Sequence, residues 1–125
     1  MVANSVDQNV YEEEKKEEKR RKGQEANFPG TPQELAEDPN WEDVTHPDQR
    51  KAGHQEFQNP ETGVKIRFDK GEPGRPGHEG HDHYHKYKED PVTGKKTYFD
   101  SEGNPTKPHS GPSHLYPPEG IYWII

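Results

Sequence analysis

Apolar and polar positions alternate most clearly over residues 54–69. His54-Gln-Glu-Phe57-Gln and Val64-Lys-Ile66-Arg-Phe68-Asp69 repeat every second residue and are joined by Asn59-Pro-Glu-Thr-Gly63, a composition typical of turns, so the segment predicts a β-hairpin. Val64, Ile66 and Phe68 face one way on it, and Lys65, Arg67 and Asp69 the other. Further strands are predicted over Asp82 to Lys88 and Lys95 to Asp100, linked through Asp90-Pro-Val-Thr-Gly94. Gly71 to Gly80, with four glycines and two prolines in ten residues, reads as a loop, and Ser101-Glu-Gly-Asn-Pro105 as another turn before an extended stretch containing Ser113-His114-Leu115-Tyr116. The apolar run Ile121-Tyr-Trp-Ile-Ile125 is either a last strand closing the core or an exposed tail. No internal repeat is evident at this level.

Helical signals are confined to the N-terminal part. Residues 11–22 are strong helix formers with no apolar face, which suits a solvated helix or a charged linker. Gly30-Thr31-Pro32-Gln33-Glu34-Leu35 reads as a helix start, with Thr31 as N-cap, Pro32 in the first turn and Glu34 as capping-box partner; the helix ends by Pro39. Trp41 and Val44 after it are expected in the core. The fold class is therefore α+β and β-rich, a small twisted antiparallel sheet of about four to five strands with a short N-terminal helical part. Residues 1–30 form the linker or solvated helix, and residues 31–125 the domain.

Composition narrows this picture. With 125 residues there is room for one domain, and 23% hydrophobic content allows only a small core. Thirteen prolines, twelve glycines and 33% charged residues lean toward disorder, whereas 10% aromatics argue for a folded part. Cysteine is absent, so neither a disulfide nor a thiolate zinc site is available. No apolar run has the roughly 18 residues of a membrane span, so no membrane association is expected. The N-terminus lacks the basic then apolar pattern of a signal peptide, and export would depend on something outside this sequence. The net charge of −7 is uneven: residues 1–40 hold ten acids and six bases, and residues 64–115 eight acids and nine bases. A polyanionic ligand near the second region is thus not excluded.

Histidine supplies the candidate chemistry. Six of the eight histidines lie between His78 and His114, and four within His78-Glu-Gly-His81-Asp-His83-Tyr-His85. Strand alternation places His81, His83, His85 and Tyr87 on one face, and Asp82, Tyr84, Lys86 and Lys88 on the other. Neighbouring imidazoles with different pKa values suit acid/base transfer at a phosphate: one takes the 2′-hydroxyl proton of RNA, the other protonates the 5′-oxygen, and a cation stabilises the charge. His83 and His85 are the expected pair, His114 an alternate partner and Arg67 the phosphate cation, preferred to Lys86 because Lys86 lies on the other strand face. Lys86, Lys95, Tyr84, Tyr98, Ser113 and His81 are candidate substrate contacts through phosphate binding or base stacking. No cofactor is required on this reading. The alternative is zinc held by His81, His83 and His85, with Asp69, Asp82, Asp100, His109 or His114 as further ligands; a third reading is a non-enzymatic histidine-rich metal-binding module, or polar loop histidines without chemistry.

Four ordered stretches carry a resemblance. Gly63-Val-Lys-Ile-Arg-Phe-Asp-Lys-Gly-Glu-Pro-Gly-Arg-Pro-Gly77, Asp82-His-Tyr-His85, Tyr98-Phe-Asp-Ser-Glu-Gly-Asn-Pro105 and Pro112-Ser-His-Leu-Tyr-Pro117 resemble the C-terminal toxin domains of bacterial polymorphic toxins, the tips of Rhs, YD-repeat or contact-dependent inhibition proteins, and among them the polymorphic toxin type 24 domain. The likeness covers roughly residues 31–117. It implies a ribonuclease carried on the cell surface or secreted as the tip of a larger protein, acting on tRNA or rRNA in the target-cell cytoplasm and neutralised by a cognate immunity protein. The positions matching its polar motifs are His83, His85 and His114, with Asp82, Asp100 and Ser113 nearby.

Overall fold

The structure, a computed structural model, describes residues 27–118 and 121, together with positions 12, 14, 15, 18 and 22. Six strands form one sheet in the order β1-β2-β3-β4-β5-β6, every neighbouring pair antiparallel: Glu42–Asp43, His54–Gln58, Val64–Asp69, His83–Glu89, Lys96–Phe99 and Pro105–Thr106. This is the expected β-rich α+β class; the strands beyond the expected four to five are the two-residue edges β1 and β6, too short to carry an alternation.

Turn chemistry sets the register. In the β2–β3 turn the Asn59 side chain accepts from Glu61 N and Thr62 N, at 3.0 and 3.2 Å, and Gly63 takes φ 77°; in the β4–β5 turn Asp90 accepts from Val92 N and Thr93 N, at 2.8 and 3.1 Å, and Gly94 takes φ 73°. The likeness extends beyond the turns. Asn59-Pro-Glu-Thr-Gly-Val-Lys-Ile-Arg-Phe-Asp69 and Asp90-Pro-Val-Thr-Gly-Lys-Lys-Thr-Tyr-Phe-Asp100 share Pro, Thr, Gly, Lys, Phe and Asp at equal spacing, an internal repeat that corrects the expectation of none. The two copies place β3 and β5 on either side of β4.

Alternation then sorts the side chains. Phe57, Ile66, Phe68 and Tyr84 turn to one face and pack with Leu115 and with Leu35 of the Pro32–Glu37 helix, all of them buried, while Phe28, Trp41 and Val64 cover the edges. Phe57 meets Phe68 edge-on at 6.0 Å between ring centroids, and Phe28 meets Tyr84 at 5.5 Å. Each such burial is worth about 1.5–3 kcal/mol, and so few apolar residues make each one count. Helix capping agrees with the sequence: the Thr31 hydroxyl accepts from Glu34 N, and the Glu34 carboxylate accepts from Thr31 N. A second helix, Pro47–Lys51, was not expected, although His46-Pro-Asp-Gln49 forms a capping box of the same design, with His46 Nδ1 accepting from Asp48 N and Gln49 Oε1 from His46 N.

Several boundaries move. The folded unit reaches back to Asn27, whose side-chain amide donates to Ser101 O, and to Phe28, so the domain begins before residue 31. Val44 is more than a third exposed, and only Trp41 of the expected pair packs on the core. The fourth strand begins at His83 because Asp82 turns its carboxylate to Gly71 N, at 2.7 Å, tying down the glycine-rich loop. In the acidic-basic N-terminal run the described positions are helical and exposed, with a Glu18–Lys22 ion pair at 3.1 Å. The expected terminal strand lies outside the described residues except Ile121, which is in no strand. Among the described residues no helix is long and apolar enough to cross a membrane.

Candidate active site

The opposite face of the same sheet is polar yet partly buried. Alternation on β2, β3 and β4 turns His54 and Glu56, Arg67 and Asp69, and His83, His85 and Tyr87 to this side. Register sets Asp69 between His54 on β2 and His83 on β4, and Arg67 opposite His85. The chain after Ser113 completes the face. Leu115 bridges Tyr84, with N–H···O distances of 2.7 and 2.9 Å, and because Leu115 points into the core, its neighbours His114 and Tyr116 turn toward the histidines.

Asp69 is the hub. Its buried carboxylate accepts from Arg67 Nε at 3.0 Å and Arg67 Nη2 at 3.0 Å, and lies 3.2 Å from His83 Nε2 and 3.4 Å from His85 Nε2. His54 Nδ1 stands 3.0 Å from the same group without the alignment of a hydrogen bond. Burial works against the Asp69 anion, but these donors and the guanidinium outweigh it and hold its pKa far below the carboxylate range.

The two central imidazoles differ in how their nitrogens are used. His83 engages both, Nδ1 against His81 O at 2.9 Å and Nε2 against Asp69. Burial disfavours its cation, yet the bonds to Asp69 and to the His81 carbonyl prevail, so its pKa is raised above the ordinary 6.5. His85 is buried with Nε2 toward Asp69 and with Nδ1 lacking a partner among the described residues. There burial prevails over Asp69, with Arg67 adding to it, and the pKa is lowered. Their ring centroids are 5.1 Å apart. His114 places Nδ1 2.8 Å from Ser110 O, its Nε2 has no partner among the described residues, and its ring lies 4.8 Å from that of His85 and 5.2 Å from that of His83. His78 stacks on His114 at 3.9 Å and is hydrogen-bonded to the Tyr116 hydroxyl; burial and the neighbouring histidines lower its pKa.

Six of the eight histidines, His54, His78, His83, His85, His109 and His114, line one cavity of 290 Å³ together with Arg67 and Asp69. Behind it the Tyr87 hydroxyl donates to Glu56, Gln49 donates to the other Glu56 oxygen at 3.1 Å, and Tyr98 stacks on Tyr87 at 5.2 Å while meeting His85 edge-on. Ligand nitrogens of His83, His85 and His114 lie within 4.8 Å of one another, and among the described residues this is the group whose spacing could suit a metal ion.

Among the residues singled out from sequence, His83, His85, His114 and Arg67 thus meet at one cavity. Others do not join them. Tyr84 is buried on the apolar face and cannot stack on a base, since strand alternation opposes it to His83 and His85. Lys86 shares that other face, opposite Ile66. Lys95 sits in the β4–β5 turn, at the far end of β4 from His83. Ser113 is fully buried, and its hydroxyl donates to Ser110 O at 2.7 Å, a structural use. Tyr98 is a buried support for His85 and Tyr87. His81 is exposed and offers its carbonyl to His83, so a metal triad would draw on His114 in its place. Asp82 and Asp100 hold backbone N–H groups of a loop and a turn. The hub role of Asp69 and the presence of His54 were not anticipated, although the β2–β3 alternation already put both on the histidine side.

No family model, curated protein or solved structure matches this chain.

Proposed function

We propose that this chain is a metal-independent endoribonuclease in which His83 is the general acid and His85 the general base. The observation that carries the reading is the shared contact of both imidazoles with Asp69, one ring engaged at both nitrogens and the other keeping a partnerless Nδ1. A doubly engaged imidazole is held as the cation and a singly engaged one as the neutral base, which is the division that transphosphorylation requires. His85 takes the 2′-hydroxyl proton on Nδ1, a buried atom that reaches the substrate by a turn of the ring, as that oxygen bonds to phosphorus; the bond to the 5′-oxygen breaks and the His83 Nε2 proton, released from Asp69, passes to it, leaving a 2′,3′-cyclic phosphate and a 5′-hydroxyl. Arg67 binds Asp69 through Nε and Nη2, and its Nη1 has no partner among the described residues and is free for a phosphate oxygen. Asp69 acts through the two histidines as a positioning residue. His114, with its free Nε2, is the alternate base.

The competing reading is a zinc-dependent nuclease or a metal-binding module using His83, His85 and His114, favoured by the closeness of their nitrogens. Arg67 weighs against it, because a guanidinium forked onto the carboxylate beside the imidazoles adds positive charge where a second cation would bind. The setting, a toxin tip delivered by a larger protein and restrained by an immunity protein, rests on the resemblance of the four sequence stretches.

The test is incubation of the full chain with total RNA in excess chelator, with the product ends identified. Cleavage to 2′,3′-cyclic phosphates, reduced about 100-fold or more by His83→Ala and by His85→Ala, is expected. RNA left intact in chelator but cut on adding zinc or magnesium would replace this mechanism with the metal-dependent one.

A further inference from the structure

A second cavity, of 510 Å³, adjoins the histidine cavity and shares His78 and His114 with it. It has the size of a small-ligand pocket, typically about 300–1,000 Å³. Its walls differ from those of its neighbour. Pro112, Leu115 and Tyr116 give it flat and apolar surface, and the turn after β5 brings two carboxylates, Asp100 and Glu102. Asp100 is half-occupied, one oxygen accepting from Glu102 N at 3.0 Å and Asn104 N at 2.9 Å. The exposed Glu102 carboxylate takes no hydrogen bond or ion pair among the described residues. The Tyr116 ring is fixed from the other side by its hydrogen bond to His78, which in turn stacks on His114.

We infer that this cavity is a nucleobase subsite selective for guanine, placing the base beside the phosphate held at His83, His85 and His114. The inference rests on the ribonuclease reading for the position of the phosphate. Flat side chains and an apolar wall accept the π-face of any base, so they provide binding without choice. The choice comes from the acceptors. A carboxylate offers acceptors only. Guanine presents N1–H and N2–H side by side on its Watson–Crick edge and can fill both oxygens of one carboxylate. Uracil presents a single N3–H, and adenine and cytosine a single amino group, so each leaves one oxygen unmatched. A nearby acid also repels the phosphate, which keeps phosphate in the histidine cavity and the base in this one.

Two measurements on the full chain test this. In the first, the four nucleoside 3′-monophosphates are titrated separately. Guanosine 3′-monophosphate is expected to bind about tenfold or more tightly than the other three, and Glu102→Gln, which trades an acceptor for a donor on an exposed side chain, to reduce that margin to about twofold. Equal binding of all four, no binding, or a margin that survives Glu102→Gln overturns the inference. In the second, oligonucleotides differing in a single ribonucleotide are offered for cleavage. Cutting without regard to base removes the guanine subsite and leaves the ribonuclease reading standing; selective nucleotide binding with no cutting of any RNA does the reverse.

Discussion

One face of the sheet is made of rings and aliphatics, Phe57, Ile66, Phe68 and Tyr84, and the other of ionisable groups, Glu56, Arg67, Asp69, His83 and His85. Both are largely removed from water. The apolar face gains from each contact regardless of its direction, whereas on the polar face a group is tolerated only where a specific partner meets it. A buried imidazole nitrogen without a partner among the described residues calls for an explanation beyond packing, and His85 Nδ1 is such an atom, in a residue that lines a cavity. The same alternation that builds the core on one side delivers this array on the other.

The largest effect of a single substitution falls on the apolar side. Phe68→Ala should lower stability by about 3–5 kcal/mol, because it removes a fully buried ring touching Phe57 and Tyr84. Chemical denaturation measures this, and the folded fraction should keep the proposed RNA cleavage per molecule. An equal loss of activity in the fully folded fraction would mean that the two faces are not separable.

On the polar side, Asp69→Asn should cost about 3 kcal/mol by leaving the Arg67 guanidinium without its counter-charge, and should also lower the His83 pKa. The pH dependence has a definite sign. A carboxyl held below its unfolded value, near 4 in an unfolded chain, stabilises fully above that pH and loses the contribution as pH falls toward the folded pKa. Denaturation curves of wild type and Asp69→Asn should therefore converge below about pH 4. Curves that stay parallel to acid would remove Asp69 from the hub.

The smallest effect is expected at Lys95, in the turn remote from the site: Lys95→Ala should change stability and cleavage by less than about 0.5 kcal/mol. A larger loss of RNA binding would extend the substrate track along β4.

The hairpins, the first capping box and the convergence of His83 and His85 were legible because each depends on local composition or on period two. The residues Asn59-Pro-Glu-Thr-Gly63 contain their turn's acceptor and its glycine, and need no tertiary information. Asp69 and His54 were undervalued for the opposite reason. A lone acid at the end of a strand has no periodic signature, and its meaning comes from the register that brings β2 and β4 to its two sides. The repeat relating residues 59–69 to 90–100 was readable but obscured, since the two aspartates ended in different environments, Asp69 among histidines and Asp100 capping a turn. Alternation already set Tyr84 opposite His83 and His85, and the structure buries it in the core.

Two neighbouring imidazoles share one carboxylate but differ in protonation, His83 favoured as the cation by its bonds to Asp69 and His81 O, and His85 favoured as the neutral ring by burial. NMR titration of the histidine rings, with signals assigned through His83→Gln and His85→Gln, tests it directly. His83 is expected to titrate above 6.5 and His85 below it, so that between the two pKa values one ring is charged and the other neutral. Coincident titration of the two rings, or the reverse order, would contradict it.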